Sequence, residues 1–115
     1  MRRGEVRLVD LEPGRASEAN KTRPAIVVSN DHANDVASRL GRGVVTVVPI
    51  TSNVTRVFPF QVLLPAGVSG LRAESKAQAE QLRSVSVEHL GPALGQLPAS
   101  TMAAVDDALR LHLAV

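Results

Sequence analysis

Pro24-Ala25-Ile26-Val27-Val28-Ser29 is the stretch on which the fold turns. It is a short apolar run rich in β-branched side chains, the pattern of a strand covered on both faces. Val44 to Ile50 repeats that pattern, and Glu5 to Leu11 gives an earlier strand stopped by Pro13-Gly14. Phe58-Pro59-Phe60-Gln61-Val62-Leu63-Leu64 reads as a fourth strand. Pro59 has no N–H to donate, so it belongs near a strand start or on an edge. Lys76 to Val87 fits a fifth. Polar Asp31 to Leu40 has room for a helical turn before Gly41-Arg42-Gly43. Pro98 to Leu113 closes the chain as a helix, with Met102, Val105, Leu109 and His112 or Leu113 along one face. Pro98 suits its first turn and Ser100 its cap. The expected class is α+β, mainly β: a small, mostly antiparallel barrel with helices packed outside it, one domain over residues 1–115.

Composition narrows the function. Thirteen Lys+Arg against eleven Asp+Glu leave a net charge of +2, which permits a nucleic-acid partner without demanding one. Only Lys21 and Lys76 are lysines; the other basic residues are arginines, whose planar donor fork suits phosphate. Phe58 and Phe60 are the only aromatics, which disfavours RNA modules that stack bases on several rings. The absence of cysteine excludes disulfides, thiolate metal sites and a cysteine nucleophile. His32, His89 and His112 show no ligand spacing, so neither a metal site nor a cofactor is expected. No apolar run reaches the roughly 18 residues that span a bilayer. Met1-Arg2-Arg3 is followed by Gly4-Glu5-Val6-Arg7 rather than an export signal's apolar stretch, so the expected location is cytoplasmic.

In an antiparallel meander, alternate connections fall at the same end of the sheet. The loop from Pro13 to Thr22 and the loop after Ile50 then share one rim, where Ser17, Glu18, Asn20, Lys21, Arg23, Thr51 and Ser52 collect. Taken singly, these residues have plain structural readings. Arg23-Pro24 can be a strand start, Thr51-Ser52 a turn bonding its own backbone, and Glu18 a solvated loop carboxylate. Taken together they suit phosphodiester chemistry on RNA, where the ribose 2′-hydroxyl is itself the nucleophile. Such a site must remove a proton and stabilise the charge on the phosphoryl oxygens. Arg23 offers two parallel N–H bonds to phosphate, Thr51 adds a hydroxyl, and Glu18 is the candidate base. Arginine is a poor proton acceptor, so Arg23 is assigned charge stabilisation.

The residues also resemble the MazF/PemK toxins. Gly4-Glu5-Val6, Asp10-Leu11 and Ser17-Glu18-Ala19-Asn20-Lys21-Thr22-Arg23-Pro24 look like that family's opening. Val47-Val48-Pro49-Ile50-Thr51-Ser52, Pro59-Phe60-Gln61-Val62, Glu80-Gln81-Leu82-Arg83-Ser84-Val85 and Val105-Asp106-Asp107-Ala108-Leu109 continue the match in order. The likeness is to the mycobacterial type. It implies an SH3-like barrel, a homodimer, and a metal-independent endoribonuclease toxin of a type II toxin–antitoxin system. The substrate would be single-stranded RNA, leaving a 2′,3′-cyclic phosphate and a 5′-hydroxyl, and the partner a MazE-like antitoxin. By position, the family's catalytic arginine falls on Arg23, its catalytic threonine or serine on Thr51, and its loop glutamate on Glu18. Ser17, Asn20, Lys21 and Ser52 then contact RNA, with Gln81 and Arg83 as a further pair aimed at one face. The first strand departs from the pattern: Arg7 stands where many members have an aromatic nearby, which bears on RNA preference or a dimer contact. Two other readings are a CcdB-like protein that poisons DNA gyrase and a catalytically silent relative that only binds RNA or antitoxin.

Overall fold

The computed structural model describes residues 1–11 and 22–115. Its strands are β1 (Glu5–Asp10), β2 (Thr22–Val27), β3 (Val44–Thr51), β4 (Gln61–Leu64), β5 (Ser75–Gln78), β6 (Arg83–Ser86) and β7 (Leu90–Gln96). Its helices are α1 (Asp31–Leu40) and α2 (Ala99–Leu113). All pairings are antiparallel, in the order β4-β5-β3-β2-β1-β7, with β6 also on β3. The architecture is the expected α+β one.

Ala25, Ile26, Val27 and Val28 are all buried, so the opening strand is covered on both faces as its composition requires. Alternation divides its side chains between two cores. Ile26 and Val28 join Val6, Val48, Ile50, Leu64 and Val105 of α2 in the larger one. Ala25 joins Val9, Val45, Val47, Val85 and Ala37 of α1 in the smaller one.

The segment Asp31–Leu40 forms a full helix rather than the single turn expected, because both ends are capped. The Asn30 side chain accepts the Ala33 N–H at 2.8 Å, and Gly41, at φ 67°, donates its N–H to the Ala37 carbonyl. Asn34, fully buried, donates to the Ser29 carbonyl at 2.8 Å and tethers α1 to the end of β2. At the other helix, Pro98 is the N-cap itself and no side chain caps α2; Ser100 lies inside its first turn. Val105 and Ala108 are buried, whereas His112 and Leu113 are exposed, so the apolar stripe stops short of the helix end.

Three strand expectations are corrected. The fourth strand begins at Gln61, because Phe58-Pro59-Phe60 is a turn closed by the Gln61 N–H on the Phe58 carbonyl at 2.9 Å. Strand four also lies outside β5 rather than beside β3, so the simple meander ends at β3. The fifth strand is two strands. Val47 pairs with Arg83 and Ile50 with Ala77, so three steps along β3 answer six on the return. The surplus forms the 3-10 turn Ala79–Gln81. A further strand, β7, pairs among the described residues with β1 alone, as an edge that tolerates Pro92.

Arg7 bonds inside the sheet. Its guanidinium meets Glu5 at 2.8 Å and the Gly91 carbonyl at 3.0 Å, bracing β1 against β7. No helix among the described residues is long and apolar enough to cross a membrane.

Ile26 is fully buried in the larger core. Ile26→Ala is expected to lower unfolding free energy by about 2–5 kcal/mol, read from urea midpoints at fixed protein concentration.

Candidate active site

The register that builds the core also builds the site. Ala25 faces Pro49 and Val27 faces Val47 across β2 and β3. The ladder stops there, and Arg23 and Thr51 lie two residues further along their strands, where both line the same two cavities. Residues two apart on a strand share a face. The face is the one that carries Ala25, Val45 and Val47, so each strand runs from apolar core at the α1 end to polar side chains at the rim.

Arg23 and Thr51 stand between two cavities and line both. The larger, about 500 Å³, continues over Thr22, Ser52, Leu71, Arg72 and Ser75. The smaller, about 350 Å³, continues over Leu11, Gln78, Gln81 and Arg83. The expected residues Arg23, Thr51, Ser52, Gln81 and Arg83 are therefore assembled in one groove. Gln81 and Arg83 reach it by a different route from simple alternation, since one sits on the 3-10 turn and the other on β6. Ser17, Glu18, Asn20 and Lys21 lie outside the described residues.

Hydrogen bonding at Thr51 is split in a useful way. Its Oγ1 accepts the Asn53 N–H at 3.2 Å, which is the local turn expected of a strand-end threonine. That bond uses an acceptor lone pair and leaves the hydroxyl proton to donate.

The groove's arginines are among those left without a carboxylate, as Arg39, Arg42 and Arg56 are elsewhere among the described residues. Arg2, Arg3, Arg7 and Arg110 are each paired with a carboxylate, Arg3 most closely, at 2.6 Å from Asp106. Arg23, Arg72 and Arg83 have no ion-pair partner among the described residues. Three unneutralised guanidinia around two joined cavities make a site for an anion with more than one phosphate.

Comparison with known proteins bears on what that anion is. Residues 2–113 match the family described as "PemK-like, MazF-like toxin of type II toxin-antitoxin system". The chain belongs to the PemK/MazF toxin family. It is 59% identical over 113 residues to endoribonuclease MazF9 of Mycobacterium tuberculosis, covering 98% of this chain and 96% of that protein. It is 35% identical over 109 residues to endoribonuclease MazF6 of the same organism, covering 94% and 92%. A solved mycobacterial endoribonuclease in complex with its cognate antitoxin shares the fold, with a TM-score of 0.78 at 23% identity. That alignment covers 100% of this chain and 96% of the other.

Two groups near the groove of this PemK/MazF chain escape a reading of its sequence. Arg72 sits in the connection between β4 and β5, where no local pattern marks it. It is carried to the groove by the close approach of residues 68–71 to β7. Gly70 has φ 80°, and a Cβ there would lie 2.3 Å from the Leu94 carbonyl oxygen; at Gly95 it would meet the Ser69 backbone at 2.7 Å. This contact spans the gap between β4 and β7, the two ends of the hydrogen-bonded sheet. Lys76 lies opposite Thr51 on β5, buried to 8% exposure, with its ammonium donating to the Arg56 carbonyl.

Gly70→Ala combines backbone strain with that collision, whereas Gly67→Ala, at φ 85° with open space around it, carries strain alone. Strain alone is expected to cost about 1–2 kcal/mol. Urea denaturation should find Gly70→Ala the more damaging of the two, with equal losses refuting the close packing of residues 68–71 on β7.

Proposed function

We propose that this protein is the toxin of a type II toxin–antitoxin system and a metal-independent, sequence-specific endoribonuclease that cuts single-stranded RNA. The observation that carries the reading is that Arg23 and Thr51 line the wall shared by two cavities. A phosphodiester seated against that wall has room for a nucleotide on either side. The relatives' names support the same activity, since MazF9 and MazF6 of M. tuberculosis are both endoribonucleases.

The reaction follows from the groups at hand. The ribose 2′-oxygen forms a bond to phosphorus as the bond from phosphorus to the 5′-oxygen breaks. Glu18, assigned by sequence, takes the 2′-hydroxyl proton, and the departing 5′-oxygen gains a proton from water. Arg23 holds two phosphoryl oxygens through its fork, and the Thr51 hydroxyl donates a further bond as charge accumulates. The products are a 2′,3′-cyclic phosphate and a 5′-hydroxyl, and the nucleophile is supplied by the substrate rather than by a bound metal. Ser17, Asn20, Lys21 and Ser52 contact RNA around the scissile phosphate, and Gln81 and Arg83 hold the chain in the smaller cavity. The active form is a homodimer, which doubles the basic groove, and a MazE-like antitoxin blocks it in the cytoplasm. Gyrase poisoning, the reading from another class, gives no chemical reason for an arginine and a threonine on one cavity wall.

Arg23→Ala and Thr51→Ala should each reduce cleavage of a long RNA in EDTA by about 10²-fold or more while leaving the circular dichroism spectrum unchanged. Cleavage by the wild type that disappears with EDTA contradicts the metal-independent chemistry. Full activity in either variant removes that residue from the reaction.

A further inference from the structure

An unbroken chain of contacts runs through the segment between β3 and β4. It starts where the Thr51 Oγ1 accepts the Asn53 N–H, and continues where Asn53 Oδ1 accepts the Thr55 N–H at 3.2 Å. The Arg56 carbonyl then accepts from Lys76 Nζ. The Arg56 guanidinium lies 4.5 Å from the centre of the Phe58 ring, and Phe58 stacks on Phe60 at 5.3 Å. The Phe58 N–H donates to Gln61 Oε1 at 3.0 Å, and Gln61 Nε2 donates to Glu80 Oε2 at 2.8 Å. The segment thus begins on the hydroxyl of one groove residue, Thr51, and ends on the sequence neighbour of another, Gln81.

Its two side-chain anchors on the sheet are buried polar groups. Lys76 and Gln61 are each 8% exposed, and neither lines either cavity. A buried ammonium is costly unless it is well bonded, and among the described residues Lys76 has only the neutral Arg56 carbonyl. Sheet pairing at position 76 requires no charge, so what the ammonium itself contributes is the bond to the segment, while the buried stem packs as any aliphatic chain would. Gln61 similarly uses both ends of its amide, one on the segment and one on the turn that carries Gln81.

We propose that Lys76 and Gln61 are positioning residues that hold Ser52 to Phe60 in one conformation, and so determine which RNA sequences the groove accepts and how fast it cuts them. The inference rests on the nuclease reading above. It works through preorganisation: a wall already in place saves the ordering cost at binding and keeps Thr51 aligned with the phosphate.

Hydrogen exchange and cleavage together test it, on the wild type, Lys76→Met, Gln61→Met and Lys76→Arg. In the wild type the amides of Asn53, Thr55 and Phe58 should be protected; exchange at unstructured rates there overturns the proposal without any variant. In the two Met variants that protection should fall at least tenfold, with melting curves reporting that the sheet remains folded. On mapped RNA, kcat/KM should fall about tenfold, mainly in kcat, and the 5′-hydroxyl ends should spread over a looser sequence motif. Lys76→Arg, which keeps charge and donor, should recover part of each effect. Unchanged exchange in folded variants overturns the bracing, and a loosened segment with unchanged kcat/KM and motif overturns its role in cleavage. A wild type that cuts no RNA refutes the nuclease reading, and the exchange data then still decide the bracing.

Discussion

The pairing of Ala25 with Pro49, Ile26 with Val48 and Val27 with Val47 governs both the core and the groove. Side chains on a strand alternate, so a slip of one residue would send Ile26 and Val48 out of the larger core and turn Thr51 away from Arg23. Burial on both faces makes that slip costly, because each face has its own apolar cluster to lose. The stability of the central strands and the alignment of the two candidate catalytic side chains are therefore one constraint. Arg23 and Thr51 lie at the solvent end of strands whose other residues fix their positions.

Charge is distributed to the same effect. Arginines that serve the fold are neutralised: Arg3 by Asp106, which ties the turn before β1 to α2, and Arg7 by Glu5. Those lining the groove are left with donors to spare. A net charge of +2 does not report where the charges lie: Glu5, Asp31, Asp106 and Asp107 are paired with arginines away from the groove. The two phenylalanines are stacked on each other at the edge of the β3–β4 segment rather than spread along the groove, so RNA would be held by phosphates and base edges more than by stacking.

The parts of the fold legible in the sequence are those whose local pattern and tertiary environment agree. Ala25 to Val27 and, apart from Thr46, Val45 to Ile50 are apolar runs and form the centre of β2 and β3. Phe58-Pro59-Phe60 has aromatic β-formers, yet the proline sits in a turn, and local propensity gives way to the bond between Gln61 and Phe58. The break between β5 and β6 comes from a register mismatch along β3, which no single segment encodes. Gly91, Pro92 and Gly95 hide β7, although Gly95 is there because the Ser69 backbone comes so close. The same division holds at the groove. Arg23 and Thr51 flank strands and could be placed from strand order, whereas Arg72 and Lys76 arrive by long-range packing that leaves no local signal. Glu18 and its neighbours Ser17, Asn20 and Lys21 lie outside the described residues, and their roles rest on sequence.

The chemistry turns on which molecule supplies the nucleophile. If the 2′-hydroxyl attacks phosphorus, the substrate carries the one group that the site does not need to provide, and Arg23 with Thr51 need only stabilise the charge that develops. The most direct measurement is cleavage, in EDTA, of an oligoribonucleotide spanning a mapped site, beside an identical strand with one 2′-deoxy sugar on the 5′ side of the scissile phosphate. The all-ribose strand should be cut to a 2′,3′-cyclic phosphate and a 5′-hydroxyl, and the single deoxy substitution should abolish cutting there. Cleavage of the deoxy-substituted strand at the same bond would contradict attack by the 2′-hydroxyl.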